Sequence, residues 1–230
     1  MSAPITFQAW PKTPRLNRLC TITEKIDGTN AAVGIRHLDN VEHYAHDTAN
    51  GECIEFSEAD APNVLAVVNG YVVFAQSRTR LIRPGADNFG FAAWVQANAG
   101  ALVEILGQGV HYGEWWGSKI QRGYGLTNGE KRFSLFNPYK QGAIDAAFEH
   151  GVYVRGLGTV PLIYQGTFST AAADAAVESL REHGSRAMPG YMNPEGIVVY
   201  HMAAGTGFKV LLEHDELPKG QFIAPEAVAA

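Results

Sequence analysis

The sequence predicts an α+β fold built mostly from antiparallel sheets. Segments rich in β-branched and aromatic residues outnumber the helical ones. The two kinds do not alternate strictly, as a doubly wound parallel sheet would require. No G-x-G-x-x-G follows a strand and no G-x-x-x-x-G-K-[ST] occurs, so the usual dinucleotide and P-loop cradles are absent.

Strands are expected at "RLCTITEKI", "NAAVGIRHL", "YVVFAQSRT", "VHYGEWW", "RFSLFNP", "GIVVYHM" and "TGFKVLLE". Three helical stretches punctuate them. "DNFGFAAWVQANAG" carries apolar residues at helical spacing, with Asp87 or Asn88 as cap, and runs on into "ALVEILGQG". "GAIDAAFEHG" ends at Gly151. "STAAADAAVESLREHGS" starts from Ser169 or Thr170 and stops at Gly184; its alanines read as helix propensity. There is no internal repeat, low-complexity linker or coiled-coil heptad. The length of 230 residues fits one domain spanning residues 1–230 with a substantial core.

Composition narrows the function classes. Apolar content of 46% and charged content of 18% are those of a soluble globular protein. The N-terminal residues show no basic start followed by an apolar run, and no segment suits a bilayer, so a cytoplasmic location is expected. Cys20 and Cys53 are too few for a disulfide framework and lack zinc-site spacing. The formal net charge of -5 argues against bulk coating of nucleic acid, although local basic clusters occur at Arg78, Arg80 and Arg83 and at Lys119, Arg122, Lys131, Arg132 and Lys140. Such clusters are either solvated faces or phosphate grips. The histidines of "HYAHD" read as a hairpin tip rather than a metal site, lacking a third ligand at known spacing.

The most informative stretch is "EKIDGTN" (24–30), a lysine at a strand end followed by an Asp-Gly turn signal. By itself K-x-D-G is common. Downstream, however, "QSRTR", "YGEWWG", "RFSLFNP", "PEGIVVY" and "GFKVLLE" each place a charged or aromatic residue in a short β-like setting. That inventory suits a nucleotide: cations for phosphates, an aromatic face for a base, and carboxylates for ribose hydroxyls and a metal ion. Glu114, between Gly113 and two tryptophans, needs a partner to be tolerated there. Trp115, Trp116, Lys119, Arg122 and Tyr124 interleave aromatic and basic residues, as a nucleic-acid loop or a pocket rim would.

The succession K-x-D-G, S-R, G-E, F-N, E-G-I-V-V and F-K, over about residues 20 to 215, resembles the ordered motifs of the covalent nucleotidyltransferase superfamily of polynucleotide ligases and capping guanylyltransferases. "EKIDGTN" is most similar to ATP-dependent RNA ligases of the phage double-strand, nick-sealing type. The resemblance implies a ligase adenylation fold with a nucleotide pocket between sheets and helices. It implies ATP, Mg²⁺ or Mn²⁺, and a lysyl-AMP intermediate that seals 5'-phosphate to 3'-hydroxyl ends. Lys25 would be the nucleophile. A lysine attacks only as the neutral amine, and Arg78, Lys209 and a bound divalent metal would disfavour the ammonium form.

By the same resemblance, Glu24, Ile26 and the backbone of the preceding strand would read the adenine while Phe136 stacks on it. Glu114, Arg78 and Asn30 would serve the ribose and the polynucleotide ends. Glu195 and Asp27 would attend the metal, and Lys209 would grip the α-phosphate. The partner implied is nucleic acid, RNA in preference to DNA, approached by a monomer in a bacterial or phage-infected cytoplasm. Two departures qualify the match. Lys209 lacks the second lysine usual two places on, since Leu211 stands there, and no length remains for the OB or helical domain common in relatives, so a partner could supply that clamp. A minimal DNA ligase, a guanylyltransferase, or an idle relative binding nucleotide or nucleic-acid ends are the alternatives. Joint retention of Lys25, Glu114, Glu195 and Lys209 argues against the idle one.

Overall fold

A computed structural model describes residues 6–48, 51–87, 89–213 and 215; side chains of residues 45–53 lie outside the description. In chain order the elements are β1 (Leu19–Lys25), β2 (Thr29–His37), β3 (His43–Thr48), β4 (Gly51–Phe56), β5 (Ala66–Val68), β6 (Tyr71–Ser77), β7 (Leu81–Ile82), α1 (Phe91–Ala97), α2 (Ala99–Leu106), β8 (Gly109–Gly117), β9 (Lys131–Leu135), α3 (Gln141–Glu149), β10 (Leu157–Thr159), β11 (Leu162–Thr167), α4 (Thr170–His183), β12 (Gly196–His201) and β13 (Thr206–Leu211). The fold is α+β and mostly antiparallel, as expected. The β9–β10 pair is parallel.

The strands form two principal sheets. One has the order β11-β1-β12-β13 and the other β10-β9-β8-β2-β6-β5, while β3 and β4 make a separate hairpin. Each principal sheet buries one face under helix. In the larger sheet, Ala31, Val33, Ile35, Val73, Phe133 and Leu135 pack on Phe91, Val95, Leu102 and Leu106 of α1 and α2. In the smaller, Cys20, Ile22, Ile197 and Val199 pack on Ala176, Val177 and Leu180 of α4. Because side chains alternate, the intervening residues of both sheets project to the opposite faces, which is where the candidate site is assembled.

Several local expectations are revised. The stretch expected as one long helix breaks at Asn98 into α1 and α2; Asp87 accepts the Ala92 N–H at 2.6 Å from outside the helix, and the N-cap position itself is Gly90. Asn88 lies outside the described residues. Ser169 is the cap of α4, its hydroxyl accepting from the Ala172 N–H at 3.1 Å, and Gly184 ends that helix at φ +75. "HYAHD" forms one arm of the β3–β4 hairpin rather than its tip. Short or glycine-containing strands such as β10 and β11 escaped the sequence reading because three to six residues give little periodicity. "YVVFAQSRT" stops at Ser77, and Arg78 lies on the turn into β7 that the Ser77 N–H closes to the Arg80 carbonyl at 2.8 Å.

Leu180 is fully buried between α4 and the smaller sheet. Leu180→Ala is expected to lower unfolding free energy by about 2–5 kcal/mol, read from the denaturant midpoint at unchanged m-value.

Candidate active site

Lys25 ends β1, and its neighbour Glu24 points the other way. In the smaller sheet Lys25 pairs with Gly196, Thr23 with Val198, and Val198 with Lys209, so Lys25, Val198 and Lys209 share the face opposite α4. Lys25 Nζ donates to Glu195 Oε2 at 2.5 Å, both side chains being largely covered. Glu195 directly precedes β12, so strand pairing itself brings it beside the lysine.

Glu24 is buried, and both of its carboxylate oxygens are occupied: Oε1 accepts from the Ser185 hydroxyl at 2.6 Å, and Oε2 from the Arg186 and Ala187 N–H groups at 2.7 and 2.9 Å. Burial raises its pKa and those three donors oppose the rise. The Glu24 side chain thereby anchors the segment after α4 to the strand that carries Lys25. Ile26 likewise turns its side chain into a small core with Trp116, Tyr124, Leu126 and Val160.

The chain then crosses from the smaller sheet to the larger one. β1 and β2 do not pair with each other, so Asp27-Gly28 is a crossover and not a hairpin turn. The Gly28 N–H donates to Glu114 Oε1 at 3.1 Å. A β-carbon at Gly28 would stand 2.5 Å from the Trp115 carbonyl oxygen and 2.8 Å from Trp116 Cβ, so only glycine lets the crossover run this close to β8. The Asp27 N–H donates to the Tyr124 hydroxyl at 3.0 Å, and Arg122 Nε meets Asp27 Oδ2 at 3.2 Å. Arg122 Nη1 also donates to the Asn193 side chain at 2.8 Å and to the Asn193 and Pro194 carbonyls. One guanidinium thus ties the turn after Lys25 to the segment leading into Glu195. From sequence Arg122 was one of several basic loop residues, and only its multiple backbone partners distinguish it.

On the larger sheet, Glu114 pairs with both Asn30 and Ser134, so these three share the face opposite α1 and α2. Phe136, just past β9, keeps that alternation: its N–H donates to the Tyr112 carbonyl at 2.9 Å and its ring is 41% exposed, whereas Phe133 is fully buried under the helices. Trp115, Trp116 and Tyr124 are core residues, so the reading of this stretch as an aromatic nucleic-acid loop is dropped. Arg78 and Lys209 are both exposed, on the β6–β7 turn and on β13. Burial raises the Glu114 pKa to about 7; Lys25 and the Gly28 N–H oppose this, while Glu195 and Asp27 add to it. Glu114 therefore lies within electrostatic reach of Lys25, Glu195 and Asp27.

Among the described residues no group of three or more His, Cys, Asp and Glu could hold a metal unaided. Mg²⁺ takes one or two carboxylates and completes its shell with phosphate oxygens and water, and Glu195 with Asp27 suits that incomplete set.

Two outcomes follow from this geometry. Gly28→Ala is expected to destabilise by about 1–3 kcal/mol, since backbone must move to admit the methyl group; denaturant unfolding measures it. Glu114 binds its proton more tightly folded than unfolded, so stability falls as pH rises from about 4.5 through about 7. Glu114→Gln should flatten that decline, which denaturant midpoints at pH 5 and pH 8 for both proteins would show.

The sequence profile of the RNA ligase family matches residues 18–211. No curated protein sequence matches the chain. Among solved structures, an RNA ligase variant of Naegleria gruberi with AMP and Mn is similar at 16% identity and a TM-score of 0.50, covering 85% of this chain and 50% of that one. A second variant of the same ligase, with ATP and Mn, is similar at 16% identity and TM-score 0.50, with the same coverage. The chain thus spans about half the length of the solved ligases it matches, and the likeness supports the fold. With the family profile spanning all of β1 to β13, this chain belongs to the RNA ligase family.

Proposed function

We propose that this chain is the nucleotidyltransferase domain of an ATP-dependent RNA ligase, of the double-strand, nick-sealing type found in phages, working through a lysyl-AMP intermediate. The observation that carries the reading is the Lys25–Glu195 contact of 2.5 Å, set on a face that also holds Lys209, with Glu114 bound to the crossover that follows the lysine.

In the first step the Lys25 amine attacks the α-phosphorus of ATP. The P–N bond forms as the bond to pyrophosphate breaks, and the amine proton passes to Glu195, which already accepts from Nζ. Lys209 lies on the Lys25 face and has the reach of a long side chain for the α-phosphate, while Arg78 supplies a second exposed cation for an acceptor phosphate. Phe136 offers the base an uncovered ring, and Val198, between Thr23 and Lys209, offers it an apolar wall from the other sheet. Glu114 and Asn30, paired across β2 and β8, face the sugar. Mg²⁺ or Mn²⁺ held by Glu195, with Asp27 close by, would neutralise charge on the phosphates. AMP then passes to a 5'-phosphate, and attack by a 3'-hydroxyl joins the strands with release of AMP.

The reading places residues 1–230 in one such domain, acting as a monomer in a bacterial or phage-infected cytoplasm. Among the described residues no helix is long and apolar enough to cross a membrane.

Intact mass after incubation with Mg²⁺ and ATP should show the gain of one AMP in the unmodified chain, none with GTP, and none in Lys25→Ala. Glu195→Gln should slow adduct formation by about 10²- to 10⁴-fold, the usual contribution of a positioned proton acceptor. Absence of an adduct with any nucleotide, in folded protein that is not already adenylylated, would remove the ligase reading.

A further inference from the structure

A concavity of about 360 Å³ lies beside the site on the β9–β10 side of the larger sheet. Its volume falls in the range of small-molecule pockets and can admit one nucleotide. Trp116 and Ala187 form part of its wall, and the Ala187 N–H is one of the groups that Glu24 holds. The pocket and the nucleophile are therefore separated by a shared layer: Trp116 packs against Ile26 on one side and lines this pocket on the other.

The lining is unusual for a chain of net charge -5. Lys131, Arg132 and Arg155 are among its lining residues, against the single acidic residue Glu130. Arg132 pairs with Glu130 at 2.9 Å and lies 5.5 Å over the Trp116 ring, which leaves Lys131 and Arg155 in no ion pair among the described residues. Tyr153 also lines the pocket, is 63% exposed, and is braced edge-on by Phe148 at 5.8 Å. Two free cations beside a braced, exposed aromatic ring are the combination by which proteins hold single-stranded nucleic acid, with phosphate on the cations and a base on the ring.

We infer that this pocket holds one nucleotide of the RNA strand being joined, its phosphate on Lys131 and Arg155 and its base on Tyr153. The inference rests on the ligase reading above for its choice of RNA. The same phosphate chemistry could serve the triphosphate of ATP, but an ATP lodged here would be separated from Lys25 by Trp116 and the Glu24–Ala187 contact.

The test measures binding of the full chain to a fluorescein-labelled, 5'-phosphorylated single-stranded RNA by anisotropy across a salt series, alongside the rate of AMP-adduct formation against ATP concentration. Lys131→Ala/Arg155→Ala should weaken RNA binding about tenfold at low salt and reduce the log–log salt slope by about 1.4, the loss expected for two phosphate contacts on a single strand. Tyr153→Ala should weaken binding about fivefold or more, with the salt slope kept. Arg181→Ala, a cation change on α4, should leave binding unchanged. Adduct formation should keep its ATP dependence in all of them.

Unchanged RNA affinity and slope in the double variant would overturn the inference, as would a rise in the ATP concentration needed for adduct formation, which would assign the pocket to ATP. Loss of adduct formation in the unmodified chain, with the RNA effects intact, would remove the ligase reading and leave the RNA pocket standing. Lys131→Gln/Arg155→Gln, which keeps polar side chains, guards against a folding defect, and the same outcomes decide.

Discussion

The passage of residues 26–28 across β8 is the constraint on which the site depends. It is the link by which the strand bearing Lys25 leaves one sheet and enters the other, so its path sets how the lysine faces Glu114. Three contacts fix it: a backbone approach that admits no β-carbon at Gly28, the Gly28 N–H on Glu114, and the Asp27 N–H on Tyr124. The backbone donors of this crossover are thereby satisfied without a hairpin. The glycine of K-x-D-G is needed here for closeness, not for a left-handed turn.

The alternation of a single strand end divides labour between neighbouring residues. Glu24 faces α4's side of the smaller sheet and anchors the 185–187 segment, while Lys25 faces the open side. A buried carboxylate is tolerated because three donors meet it, two from backbone. Removing those donors would leave an uncompensated charge next to Lys25. Arg122 does the corresponding work on the other flank, joining Asp27 to the Asn193–Pro194 approach to Glu195. Lys25 and Glu195, 170 positions apart in the chain, are thus held from both sides by Glu24 and Arg122.

Electrostatics give this arrangement its tension. Glu114, Glu195 and Asp27 lie within mutual influence, and burial has already raised Glu114 to about 7. Such a site gains from any cation or proton that enters it. The outer cations are placed separately: Arg78 on a turn, Lys209 on a strand, Lys131 and Arg155 around the neighbouring pocket. A chain with net negative charge can meet a polyanion only through local groupings of this kind.

The sequence by itself determined the fold class, the main strands and helices, and the residue types that meet at the site, because alternation and helical periodicity are local properties of the chain. Strand alternation then put the Phe136 ring in the open and the Phe133 ring in the core. What it left undecided depends on distant partners. That Glu24 meets the 185–187 segment, that Trp116 and Tyr124 are core and that Arg122 is a brace all depend on residues tens to more than a hundred positions away. No spacing in the chain encodes those meetings. Only the packing of the two sheets around the Ile26–Gly28 crossover decides them.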